Sequence, residues 1–173
     1  MRDVPNRYQG LPPRPTEMLY QVVRKFYRGA VSHFDLIQEK KGEVQAAAEQ
    51  CRINQDDTQL RQRLTTLFLE FHFYTTCWLQ IELALYRLSS KDEALARVRE
   101  AFQPQWEKHL AVRDRLEQTE ACVNEQFAQE LPAWSIVQQD AYRFGERLFT
   151  VDEQGLQELH AFYQAIESVR QNG

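Results

Sequence analysis

The sequence has no CxxC pair, and its cysteines, Cys51, Cys77 and Cys122, are three in number. An odd, widely spaced set excludes a disulfide framework or a zinc ribbon and points to buried thiols in a reducing compartment. The six glycines are scattered, so no glycine-rich loop can cradle a phosphate, and the nucleotide-binding folds built on such loops are set aside. A basic surplus is also missing. The formal net charge is −4, which excludes the cationic blanket of a non-specific nucleic-acid binder. The most apolar run, Leu64 to Leu88, is interrupted by Glu70, His72, Gln80, Glu82 and Arg87, too many polar groups for a membrane span. Met1 to Gly10 holds no apolar core of the kind that directs export, so a cytoplasmic location without membrane contact is the expectation. Di-metal helical bundles need Glu-x-x-His pairs, yet Glu70 and His72, like Glu107 and His109, stand two apart and splay. No metal site and no cofactor are expected. His33 and His160 read as surface or packing groups.

What is present is a globular composition, 43% hydrophobic and 27% charged, in a length that suits one domain. Pro5, Gly10, Pro12, Pro13 and Pro15 make residues 1–15 an extended or loose arm. From Thr16, apolar residues at helical spacing run through Leu19, Val23, Phe26, Ala30 and Ile37, and on past Gly42, where a kink is expected, to Cys51. Asn54 to Thr58 supply turn and cap chemistry. The next helix, through Leu64 and Leu88, is apolar nearly all round, so it is central, covered by a second subunit, or both. Ser90 and Glu93 form a capping box for a third helix, interrupted at Pro104 and continuing to about Glu130. Ser135 to Val137, Ala141 to Phe144 and Arg147 to Val151 mix β-branched and aromatic residues around Gly145 and read as a small hairpin. Asp152 then caps a last helix through Val169. The fold class is all-α: a four- to five-helix up-down bundle in residues 16–173, with a β-hairpin before the C-terminal helix.

The stretch Gln105 to Phe127 departs from an ordinary amphipathic pattern. At ~100° per residue, Val112, Leu116, Thr119, Val123 and Phe127 share one arc, and His109, Arg113, Glu117 and Glu120 fall inside it. Asp114 and Gln118 point to the other side. Charges on an inward face must be paired, wetted or used. An Arg113–Glu117 pair at i, i+4 is one outcome, and a functional site is the other. If the pair is buried, removing Arg113 costs about 3 kcal/mol or more.

The apolar helix, the short break and the helix carrying V-R-D-x-L-E at Val112 to Glu117 resemble the HEPN-like superfamily (higher eukaryotes and prokaryotes nucleotide-binding). The resemblance spans roughly 60–170. It implies a helical, commonly dimeric protein of toxin–antitoxin, defence or RNA-processing type, with RNA or an antitoxin as partner. Active members are metal-independent ribonucleases with Arg, a polar residue right after it, and His following the Arg after four to six intervening residues. Arg113 and Asp114 match, whereas Gln118 stands in the place of the His. The implied site is therefore a degenerate catalytic set of Arg113, Asp114, Glu117, Gln118 and His109, with Lys108 and Arg115 as phosphate contacts. Gln118 cannot act as an acid or base near neutral pH, so little ribonuclease activity is expected. The exact Arg-x4-His at Arg28 to His33 is at the level of chance. The alternative is a non-enzymatic helical-bundle interaction protein acting as a homodimer, in which Arg113 and Glu117 only pair.

Overall fold

The computed structural model describes residues 7–173; Met1 to Asn6, and with them Pro5 of the arm, lie outside the described residues. The chain is all-α apart from one hairpin. Two long helices, α1 (Thr16–Asn54) and α2 (Thr58–Ser89), are joined by three residues and pack side by side. Gln55 closes α1 in the left-handed region at φ 60°, returning its N–H to the Cys51 carbonyl. Gly42 leaves α1 unbroken: a single helical glycine costs only about 1 kcal/mol, and Lys41, Val44, Ala47 and Ala48 around it are buried.

α2 is central. Its sides meet α1, α3 (Glu93–Ala101), α4 (Gln103–Leu116) and α5 (Thr119–Phe127), which explains an apolar helix with little free face. The N-cap of α3 is Asp92, whose carboxylate accepts from Ala94 N at 2.9 Å. The expected capping box is not used, because Ser90 closes α2 with its hydroxyl on the Arg87 carbonyl. Pro104 sits in the first turn of α4, where its missing N–H is harmless. The run expected to reach Glu130 breaks at Glu117–Gln118, giving two helices.

The stretch after Pro132 is a further correction. Ala133 to Gln138 forms a short helix, α6, rather than strand. Pro132 presets the entry, Ala133 and Val137 lie one turn apart and are buried, and Gln45 of α1 donates to the Val137 carbonyl at 2.8 Å. Asp140, at φ 49°, then turns the chain into the hairpin of β1 (Tyr142–Phe144) and β2 (Arg147–Phe149), paired antiparallel. Its two-residue turn has Gly145 first at φ 65°, a conformation that favours glycine. Tyr142, Phe144 and Phe149 share one buried face and meet Phe68 and Phe71 of α2. Lys41 fixes the far end, donating to Asp140 at 2.9 Å and the Val151 carbonyl at 2.5 Å. α7 (Glu153–Asn172) is capped by Asp152 on Gly155 N at 2.9 Å and lies on α1 through Tyr27, stacked on Tyr163 at 3.8 Å.

The described part of the arm is pinned. Tyr8 donates to Glu82 at 2.8 Å, Arg7 holds Asp114 at 2.9 Å, and Arg87 donates to the Pro12 carbonyl. Glu82 is fully buried and also receives Arg99 at 2.8 Å. All three cysteines are buried and free. No helix among the described residues is long and apolar enough to cross a membrane.

Candidate functional site

The residues singled out in the sequence fall at three places. Arg113, Asp114 and Glu117 form the first. Arg113 reaches Glu117 at 2.8 Å and Asp114 at 3.3 Å, and Asp114 is also held by Arg7. The i, i+4 pair therefore exists, but not as a buried one: Glu117 and Glu120 are exposed and Arg113 is half-buried. The buried side of α4 turns along its length, from Trp106 and Leu110 at the start to Val112 and Leu116 at the end. A helix crossing its neighbour at an angle behaves this way, and it carries Arg113 and Glu117 to the rim. His72 of α2 stands near both; burial first, then the Arg113 charge, lowers its pKa, against the opposing pull of Glu117.

Arg115 and Gln118 lie elsewhere. Gln118 is exposed at the break between α4 and α5 and does not join the Arg113 group. The Arg115 guanidinium lies over Gly145, within 2.9 Å of where a β-carbon would stand, and 3.7 Å from Glu125. It serves the hairpin. The neighbouring Gln126 is wholly buried and spans α5 and β1, donating to the Arg143 carbonyl at 2.6 Å and accepting the Arg143 N–H at 2.9 Å.

The third place is a cleft of about 190 Å³, with His109 and Lys108 on its wall. Tyr74 of α2, Phe149 to Asp152 and the first turns of α7 complete it. His109 is stacked on Trp78 at 4.1 Å and its Nδ1 lies 2.8 Å from the Gln105 carbonyl. A carbonyl can only accept, so Nδ1 carries the proton and Nε2 keeps its lone pair. Burial drives its pKa down to about 3, with the Lys108 charge adding to the fall, so the ring is neutral. Lys108 is tied to Glu158 of α7 at 3.4 Å. Tyr74 was missed because helical spacing reads it as core; the signal lies in chemistry, since a buried tyrosine hydroxyl ordinarily has a partner. Among the described residues no three His, Cys, Asp or Glu side chains are grouped as a metal would require.

Comparison with family models, with curated proteins and with solved structures finds no match for this chain.

Proposed function

We propose that the protein is a catalytically silent, HEPN-like helical protein that works by binding another protein chain, and that it pairs with a second copy of itself through α2. The observation that carries this reading is a strip on the central helix. Leu69 and Phe73, one turn apart, are 53% and 40% exposed, while Leu67, Phe68 and Phe71 around them are fully buried. Beside them stand Thr65, Thr66 and Thr76, which add no charge, and the His33 ring, 4.0 Å from the Phe73 ring. Of the ionisable groups around the strip, His33 is matched with Glu70 at 2.9 Å and Arg63 with Glu43 at 3.4 Å, and His72, one turn from Leu69, is held toward its neutral form by burial. Covering such a strip strips water from apolar surface without isolating a charge.

The cations weigh the same way. Arg113 is held by Glu117 and Asp114 and would have to break those contacts to hold a phosphate, while Lys108 and Arg115 each stand beside a carboxylate, Glu158 at 3.4 Å and Glu125 at 3.7 Å. Of the motif's own residues, Gln118 lies exposed at the break after α4 and His109 is stacked on Trp78, while the histidine that stands near Arg113, the half-buried His72 of α2, lies outside the motif. Sedimentation velocity on wild type and Phe73→Glu is the test, run beside metal-free incubation with a mixed RNA pool. The expected outcome is a dimer that Phe73→Glu converts to monomer, with the RNA left intact. A wild-type monomer at micromolar concentrations overturns the pairing, and cleavage that disappears in Arg113→Ala overturns the silence.

A further inference from the structure

The arm that leads into α1 is anchored at its far end. Gln9, Gly10 and Pro12 to Pro15 are exposed and Leu11 is half-buried, so apart from the Arg87 bond to the Pro12 carbonyl the arm is held by the side chains of Arg7 and Tyr8. Pro12, Pro13 and Pro15 preset an extended path between those anchors and α1.

The seat of these two side chains is built on a buried charge. Glu82 is wholly buried, and its Oε1 receives the Tyr8 hydroxyl at 2.8 Å and Arg99 Nε and Nη2 at 2.9 and 2.8 Å. The other oxygen, Oε2, is buried without a hydrogen-bond partner among the described residues. The Tyr8 ring lies 4.3 Å from that of Tyr86, itself 39% exposed, and the Arg99 guanidinium lies 4.7 Å over Trp106 and 5.1 Å over Tyr86. Asp114 takes Arg7 at 2.9 Å. A tether needed only for stability is held better by apolar contacts than by a buried carboxylate, whereas charge-assisted bonds select a sequence. Lifting Tyr8 away readmits water to Glu82, which offsets part of the lost contact. The arm is therefore replaceable, and what replaces it must bring the same two donors.

We propose that Glu82, Tyr86 and Asp114 form a recognition site for an extended peptide that presents an arginine followed directly by a tyrosine, and that residues 7–15 occupy this site in cis as a built-in competitor. At ~100° per residue Glu82 lies on the opposite side of α2 from Phe73, so the site is independent of pairing through the exposed strip. The probe is the peptide of residues 7–15, acetylated and amidated, titrated into the full chain carrying Arg7→Ala with Tyr8→Ala and into wild type, with the Arg99 Nε–H and Trp106 indole signals followed by ¹H–¹⁵N NMR. Saturable shifts are expected in the double variant, with wild type at least ~10-fold weaker because its open state is the minor one. The same peptide with phenylalanine for tyrosine binds at least ~10-fold more weakly, since it loses a hydrogen bond to a charged group. Asp114→Asn in the double variant weakens the peptide and leaves unchanged one with glutamine for arginine. Trypsin cleavage of wild type after Arg7 reads the opening itself: its rate should be indifferent to low urea, as for a local opening and not for global unfolding. Equal binding by wild type and the double variant, shifts that rise without saturation, a phenylalanine peptide that binds as tightly, or cleavage that follows the urea dependence of global unfolding each overturn the proposal.

Discussion

Replacing Gln126 with Ala removes the side chain that holds the hairpin to α5. In an antiparallel ladder, facing residues alternate between pairs that exchange both backbone bonds and pairs that exchange none. Phe144 and Arg147 flank the two-residue turn and exchange both, so Arg143, opposite Leu148, points its N–H and C=O away from β2. Gln126 meets both, at 2.9 and 2.6 Å, with one amide group. Loss of a partner for a buried polar group costs ~1–3 kcal/mol. Arg143 is half-buried and water can recover part of that, so two orphaned groups and the small void together cost about 2–4 kcal/mol. At ~2–4 °C per kcal/mol for a chain of this size, the melting temperature falls by roughly 5–15 °C. Urea unfolding followed by circular dichroism supplies the free energy, and Gln126→Glu is the informative partner variant: it still accepts from Arg143 N but cannot donate to the carbonyl. At neutral pH it should be less stable than Ala, because the carboxylate would be buried against the Cys122 and Arg143 carbonyls. A Gln126→Ala loss below about 0.5 kcal/mol, the range of ordinary surface substitutions, would show that the amide merely lies beside the strand.

Arg113→Ala should lower stability by no more than about 1 kcal/mol, the usual range for partly exposed ion pairs, because Glu117 and Asp114 are both reachable by water once it is gone. A loss of 3 kcal/mol or more in a thermal or urea melt would restore the buried pair considered from the sequence. The pH dependence has a definite sign at His109, whose folded pKa lies near 3 against an ordinary 6.5. The neutral ring is what the fold accepts, so its contribution is whole above pH 6.5 and is lost as pH falls from there toward 3, by ~1.4 kcal/mol per unit. Melts at pH 7.5 and pH 5 should differ by roughly 2 kcal/mol more in wild type than in His109→Gln, and equal slopes would refute the assignment.

The helices that periodicity announces are those with long, one-sided apolar patterns, and α1 and α7 are of this kind, whereas α2 declares itself by the length of a segment apolar nearly all round. Gly145 located the hairpin turn and Asp152 the last helix start, because each residue answers a local need: a positive φ in one case, an unpaired N–H in the other. Trp134 to Val137 misled for the opposite reason. Six residues are too few for a 3.6 period to declare itself, β-branched Ile136 and Val137 favour strand in isolation, and what decides for helix is remote: the Gln45 side chain on the Val137 carbonyl and the packing of α6 on α1. The break at Gln118 had no glycine or proline to mark it.

The site illustrates the same division within one helix. His109 and Arg113 are one turn apart on α4, and a helical wheel places them on a common inward arc, as neighbours in one site. A wheel assumes a fixed inward direction, and that holds only for parallel partners. The buried side of α4 shifts along its length: His109 stacks on Trp78, and by the turn of Arg113 burial has moved round to Val112 and Leu116. The i, i+4 geometry that joins Arg113 to Glu117 is internal to the helix and survives this rotation, so the pair was legible. The partners that decide each group's chemistry were not, since Arg7 comes from over a hundred residues away and Glu158 from fifty. The consequence is a separation of places: the rim charges are neutralised by the arm and by each other, and the neutral histidine is held between Trp78 and the cleft. Arg113→Ala should therefore leave both the acid transition of His109 and self-association through Phe73 untouched, as read by melts at pH 5 and by sedimentation velocity. A change in either would mean that Arg113 and His109 are coupled along α4 and that the two places are one site after all.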